Sequence, residues 1–534
     1  MRPVRPVFRG GRPSLLKWLA WLAAAVAVAP LIGVVVAALG EGRADIAARD
    51  LIRYALTSAA LAVMVAIATA VLGSVSAWLV VMHRFPGRSV FAWALALPLA
   101  TPAFALAYAY ADLFDVAGDL RSWMRAVPGL DWGPQMRSLP GAAFVLSLAF
   151  YPYVYLTVRA ALVNQSSQAI EAARSLGCSP LQALVRVGLP LLRPALAAGV
   201  ALAVMETLAD FGAVQFLSVQ TLTTGVVRSW FVYGSLESAA RLALPLLAAA
   251  AVLLWIERLS RSGRTDEAAR GRWRPIEPTP LAVGRGALAS GFCLSLLTLG
   301  LILPVGWLAW NALDIDPDWS RLIRAAGHSL GLGLGGAVVT VVLATCLALG
   351  AERMPVTARI SSLGYATPGA VMAIGLLAPA SLIWQGVPGA ASGLGLGLLL
   401  LIYAYAARLM AAALEPLEAG LARVTPSVVA AARTLGRSEA GAVLSVRLPI
   451  AAGALLTATL VVFIDVLKEL PATLILRPFN VDTLAVIADN YARDERLANA
   501  GWPSLMIIAL TLPAVIWLTR KITASRPGDP HGHG

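Results

Sequence analysis

Apolar runs of about twenty residues recur along the whole of this chain, and they restrict its fold more than any other feature. A lipid core leaves no water for backbone N–H and C=O groups, so a run of that length must close its own hydrogen bonds as a helix. About twelve runs meet the length criterion. They lie at 15–39, 54–82, 91–113, 141–162, 194–218, 240–256, 286–312, 328–350, 361–384, 392–413, 450–474 and 502–519. Composition agrees: 59% of the 534 residues are hydrophobic and 13% are charged, and the mean hydropathy is +0.76. The sequence therefore reads as an all-α polytopic membrane protein.

The formal net charge of +13 does not mark a nucleic-acid binder, because the basic residues are spread over short loops between spans. The opening "MRPVRPVFRGGRPSLLK" holds five of them, and the segment from Arg258 to Arg285 holds seven arginines. Positive loops stay in the cytoplasm, which places both these segments there. With twelve spans the C-terminus, carrying Arg520, Lys521 and Arg526, returns to the same side, and Asp314, Asp316 and Asp318 fall outside. The first run is long and lacks a small-residue cleavage site, so it reads as an uncleaved span and not a secretory signal. Three cysteines, Cys178, Cys293 and Cys346, form neither a disulfide framework nor a thiolate metal site. The three lysines, Lys17, Lys468 and Lys521, follow no glycine-rich phosphate loop, and no HExxH is present. The chain cannot hydrolyse ATP alone and has no nucleophile–base set, so it is not read as an enzyme. No bound cofactor is expected.

The chain is duplicated. Glu171 to Pro190 reads "EAARSLGCSPLQALVRVGLP", and Ala430 to Pro449 reads "AAARTLGRSEAGAVLSVRLP". One shift of 259 positions aligns Gly177 with Gly436, Glu206 with Asp465 and Asp210 with Glu469. Slightly larger shifts pair "LIRYALTS" at Leu51 with "LIRAAGHS" at Leu322, and "TPAFALAY" at Thr101 with "TPGAVMAI" at Thr367. Each copy has six spans, an even number, so the copies run parallel about an axis along the membrane normal. The expected divisions are residues 1–50 (N-terminus and first span), 51–257 (first repeat), 258–321 (linker, extra span and outer loop), 322–520 (second repeat) and 521–534 (tail).

The duplicated polar stretch reads as two short helices around a glycine turn. Thr425-Pro426 supplies an N-cap and a first-turn proline. Gly436 falls at the left-handed position that ends a helix, and Ser438 and Ser179 stand where they cap the next one. A hairpin offered to the cytoplasm in each half suits a two-fold symmetric soluble partner. The "EAA…G…LP" pattern resembles the cytoplasmic signature of permease subunits of binding-protein-dependent ABC importers, over essentially the whole chain. That resemblance implies the type I importer permease fold in the bacterial inner membrane, a pair of ATPase subunits that bind the ATP, and a periplasmic binding protein. It carries ATPase coupling onto Glu171, Ala172, Ala173 and Gly177, and onto Ala431, Ala432 and Gly436. Ala430 stands where the second copy wants glutamate. The stretches "YPYVYLTVRAAL" (151–162), "METLADFGAVQFLSVQTLTTG" (205–225) and "FIDVLKELPATLILRPFNVDTLA" (463–485) resemble fused ferric-iron importer permeases. Thiamine, sulfate and polyamine importers share the general motif.

Glu206 and Asp210 are four apart and share a helix face, as do Asp465 and Glu469. A charge at a helix centre in the membrane costs roughly 2.5–3.5 kcal/mol on the insertion scale, so such residues mark function by default. Oxygen ligands of this kind suit a hard cation. Two readings stand side by side: the four carboxylates line a translocation path or gate, or they pair with Lys468 or Arg477 as structural ions near the span ends. No tight metal site is expected. Gly212 and Pro471, at matched positions, free backbone groups along the path. Gly331/Gly335 and Gly393/Gly397 have the spacing of close helix packing, and Tyr151, Tyr153 and Tyr155 read as an interfacial belt. An ion-coupled secondary transporter is the competing class, and a membrane enzyme or scaffold the third. The paired hairpins argue against the former, which has no ATPase to dock.

Overall fold

The computed structural model describes residues 15–40, 47–115, 118–127, 133–164, 175–179, 182, 186, 189–261, 278–351, 357, 364, 367–386 and 394–524. Nine of the described helices are long and apolar enough to cross a bilayer, eleven if each of two bent pairs is one span. The shorter apolar helix Gly369–Ala380 stands at the remaining expected run.

The first half consists of α1 (Leu15–Ala38), α2 (Ala48–Met82), α3 (Arg88–Ala94), α4 (Ala103–Leu113), α5 (Asp119–Ala126), α6 (Leu139–Asn164), α7 (Leu189–Ala209), α8 (Gly212–Phe216), α9 (Leu222–Phe231) and α10 (Leu236–Arg261). The second begins with α11 (Val283–Leu297) and α12 (Leu303–Leu313), joined by a π-turn, then α13 (Trp319–Ala351), α14 (Gly369–Gly386) and α15 (Leu394–Leu421). Its hairpin holds α16 (Pro426–Thr434), α17 (Glu439–Ala442) and α18 (Leu448–Ile450), followed by α19 (Ala452–Lys468), α20 (Pro471–Leu476), α21 (Leu484–Arg493) and α22 (Leu497–Ala524).

Hydrogen bonds repeat with the sequence. The Ser58 hydroxyl accepts the Leu222 N–H at the start of α9, and Ser329 accepts the Leu484 N–H at the start of α21, both at 2.9 Å. These serines end the matched stretches "LIRYALTS" and "LIRAAGHS". Thr221 and Thr483 occupy the N-cap of the same two helices. The fold is all-α, and its two halves repeat the same bonds at matched positions.

Three expected spans are not straight rods with the expected ends. The run 91–113 bends by 89° between Ala100 and Ala103, where Pro98 and Pro102 withdraw backbone donors. The run 194–218 stops being one helix at Ala209. The run 450–474 is bent by 73° at Ala451 and ends as a helix at Lys468. Hydropathy passes smoothly over these breaks because the residues beyond them are also apolar.

The extra span of each half clasps the other half. α1 packs on α13 and α14 as well as on α10. A methyl added at Gly33 would overlap the Gly375 carbonyl, and one at Gly375 would overlap the Pro30 carbonyl, so the two backbones touch. α12 packs on α4 and α22, and Asp112 on α4 accepts Trp307 Nε1 at 2.7 Å and Asn311 Nδ2 at 2.5 Å. Arg241 on α10 donates to Ala38 O and Gly40 O, which complements the negative end of α1. After the linker, Thr279–Pro280 pairs in parallel with His83–Arg84 at the end of α2.

Two packing expectations change. The close approaches on α13 are at Gly350, against Ala20 of α1, at Gly333, against Phe463, and at Gly336, against Tyr405 and Val466, while a Cβ on Gly331 would meet open space and one on Gly397 would meet Pro478. Gly393 lies outside the described residues. Tyr151 and Tyr155 are wholly buried, not interfacial, and the Tyr155 hydroxyl donates to Ala92 O at 2.8 Å. Most of helix α6 packs against protein, which turns these two of the three expected belt tyrosines into core.

Candidate functional site

The hairpins present their turns to solvent. In the second copy, Gly436 has φ +85°. Its N–H donates to Arg433 O, and the Arg437 N–H donates to Ala432 O. This is the Schellman pattern, which satisfies the last carbonyls of α16. Ser438 accepts the Gly441 N–H at 3.0 Å and starts the next helix. Gly177 in the first copy has φ +87°, and Ser179 exchanges hydrogen bonds with Gln182 as a capping box. Thr425 is at the N-cap of α16, but its hydroxyl bonds Ser427 and not the backbone. Ala431 is exposed and Ala432 buried; Glu171, Ala172 and Ala173 lie outside the described residues. Leu176 and Leu435, one residue before each glycine, are 86% and 85% exposed. The sequence reading passed over them, although their matched position was the available signal.

At the far ends of α7 and α19 a cavity of about 90 Å³ opens between the halves, lined by Glu206, Asp210 and Gly212 from one and Asp465, Glu469 and Pro471 from the other. Glu206 is seventeen residues beyond Leu189, roughly 25 Å along the helix from the hairpin. The duplicated carboxylates thus meet in one place. Tyr153 lines it too.

The carboxylates differ in their bonding. Asp210 accepts the Val214 N–H at 3.0 Å and so caps α8. Glu469 does the same for α20, accepting the Ala472 and Thr473 N–H groups and the Thr473 hydroxyl. These two side chains explain why α7 and α19 end where they do: each helix yields to a new one started by its own terminal carboxylate. Glu206 and Asp465 instead keep 22% and 23% of their side chains exposed to the cavity.

Two cations join them, and both belong to the second half. Arg408 on α15 pairs with Glu469 at 3.2 Å and with Glu206 at 3.6 Å. Lys468 pairs with Asp465 at 3.4 Å and donates to Leu99 O of the first half at 3.0 Å. Of the ion partners anticipated from sequence, Lys468 is present, whereas Arg477 pairs with Asp482. Arg408 was missed. Under the shift of 259 positions its counterpart is Ala149, and that of Lys468 is Ala209; both alanines line the cavity. With four carboxylates and two cations the site is acidic. Among the described residues no group of three or more His, Cys, Asp or Glu converges to hold a metal ion. Arg137 and Glu495 form a further bridge between the halves, through two bonds of 2.9 and 2.7 Å.

A duplicated helical membrane protein, with a polar cavity between its halves and a matched hairpin turn in each, has the form of a transporter permease. Comparison with known proteins agrees. Residues 69–265 match the family of binding-protein-dependent transport system inner membrane components. The chain is 28% identical over 473 residues to the Fe(3+)-transport system permease protein FbpB 2 of Haemophilus influenzae, covering 86% of this chain and 88% of that one. It is 34% identical over 201 residues to the sulfate transport system permease protein CysT of Escherichia coli, covering 36% and 71%. With CysW of the same organism it shares 29% over 202 residues, covering 37% and 68%. The chain belongs to the family of binding-protein-dependent transport system inner membrane components: it is a multi-pass inner-membrane permease of an ABC importer, not an enzyme. Its family implies ATPase and periplasmic binding-protein partners.

Proposed function

We propose that this permease imports ferric iron, handed over by a periplasmic binding protein and passed between Glu206 and Asp465 by alternating access. The observation that carries the reading is the meeting of matched carboxylates from both halves in one cavity of net negative charge. A hard trivalent cation is attracted to such a place and finds oxygen ligands there. Asp210 and Glu469 build the path by starting the short helices α8 and α20, with Gly212 and Pro471 at their first positions. The cavity's small volume suits an inorganic ion with part of its water. ATP is bound by two partner subunits, one on each hairpin through Glu171 to Gly177 and Ala431 to Gly436. The permease itself needs no cofactor. Both termini lie on the hairpin side, and the binding protein docks on the opposite face. The functional units are the two repeats, 51–257 and 322–520.

Sulfate is the second reading, and Arg408 and Lys468 are the observation in its favour, since an oxyanion needs cations. Each is already paired with a carboxylate, so the site has no cationic surplus to offer. The test is ATP hydrolysis by the permease–ATPase complex in lipid, with binding protein and a panel of ferric iron, sulfate, thiamine and polyamine. Stimulation by the iron-loaded binding protein, lost in Gly177→Asp, supports the reading. Stimulation by sulfate alone ends the iron assignment. Transport that follows a proton gradient with no ATPase bound ends the importer mechanism.

A further inference from the structure

Arg408 holds a position that duplication does not explain. Its guanidinium lies between a carboxylate of its own half and one of the other half, 12% exposed. The Glu469 side is an anchor: that carboxylate is 1% exposed and is held by two backbone N–H groups and a hydroxyl. The Glu206 side is looser, at 3.6 Å, on a carboxylate that faces the cavity. Separation of the halves at this level breaks the second contact and leaves the first intact.

We propose that Arg408 is a tethered stand-in for the cargo cation and a determinant of selectivity: it holds Glu206 while the path is empty and yields that carboxylate to a multivalent ion. This inference rests on the reading of the cavity as a cation path. The argument is one of competition. A singly charged guanidinium on a fixed anchor neutralises Glu206 against monovalent ions, which have no greater Coulomb attraction to offer. A trivalent ion has about three times that attraction at equal distance and engages Asp465 as well. The same contact ties the halves together between transport events, and Lys468 adds to it through Leu99 O. In the first half Ala149 occupies the corresponding place, so among the described residues that line the cavity Arg408 supplies the guanidinium.

The experiment compares Glu206→Gln, Arg408→Gln and Arg408→Lys in the reconstituted permease–ATPase complex. The readout is ATP hydrolysis without binding protein, followed by hydrolysis with iron-loaded binding protein. Loss of the tie raises the unstimulated rate about five-fold in Glu206→Gln and in Arg408→Gln, the low end of typical coupling between sites. Arg408→Lys, which keeps the charge, stays near the unmodified protein. A purely structural arginine gives the reverse order: Arg408→Lys and Arg408→Gln lose protein yield together, and Glu206→Gln leaves the unstimulated rate unchanged. Because Glu206→Gln keeps the Arg408–Glu469 pair, it decides the matter even where Arg408→Gln does not fold. An unchanged rate in folded Glu206→Gln overturns the proposal. Failure of iron-loaded binding protein to stimulate the unmodified complex overturns the iron reading instead, and leaves the unstimulated comparison to judge the tie.

Discussion

Glu469 accepts two backbone N–H groups and a hydroxyl as well as pairing with Arg408, whereas Glu206 meets Arg408 at 3.6 Å and otherwise looks into the cavity. Removing the Glu469 charge leaves a guanidinium buried with half its compensation, which costs roughly 3–5 kcal/mol. Glu469→Gln is therefore expected to melt well below the unmodified protein in detergent. Glu206→Gln removes the longer contact of a partly exposed pair, worth about 1 kcal/mol or less, so its melting temperature stays close while cargo-stimulated hydrolysis falls. Equal melting of the two variants contradicts this division. Sequence made the four carboxylates legible because they repeat at matched positions. It could not separate the two that cap a helix from the two that face the cavity, since that depends on where a helix stops. Arg408 was invisible for a related reason: a search by duplication passes over a side chain that one copy lacks.

Among the elements, the hairpins were the most legible, because glycine and serine at helix ends act locally. A Cβ at Gly177 or Gly436 meets nothing within 4 Å, so a substitution there is opposed by backbone conformation alone. Gly436→Ala is expected to cost about 1–2 kcal/mol locally and to weaken ATPase coupling, with Gly436→Asn milder because asparagine tolerates the left-handed region. Leu435→Asp and Leu176→Asp place charge on tips that are already in solvent. They should leave folding unchanged and reduce co-purification of the ATPase; unchanged co-purification removes those leucines from the docking surface. The span ends were less legible, since hydropathy has no view of a carboxylate that begins a new helix. The contact of His83 with Thr279 lay beyond the sequence, as it joins segments far apart in the chain. Burial lowers the His83 pKa from its ordinary value of 6.5. Burial outweighs the opposing pull of the Thr279 bond, so the fold favours the neutral ring, and the contribution of His83 to stability is complete above that value and declines as pH falls below it. Protection of the Leu281 amide, which donates to Arg84 O, is expected to fall between pH 7 and pH 5.5, exchange slowing less than the intrinsic rate does, and that loss of protection should be absent in His83→Gln.

For the whole molecule, the parallel repeat was readable from the shifted matches, but the exchange of the extra spans was not. Where α1 packs depends on the shape of a surface built by helices hundreds of residues later. The exchange makes each half incomplete without the other. A chain split within 262–277 and expressed as two pieces should reassemble and co-purify, while either piece expressed alone should yield little folded protein. Monodisperse separate halves refute the clasp. The one-sided placement of Arg408 and Lys468 has a further meaning for why the halves share a chain. The first half brings two carboxylates and two alanines to the cavity; the second brings two carboxylates and two cations. A pair of first halves would surround the path with four uncompensated negative charges, and a pair of second halves would leave none in excess. Only one of each gives an acid excess of two. Covalent linkage guarantees that ratio in every molecule, so the joining of two unlike halves in one chain itself fixes the electrical character of the cavity between them.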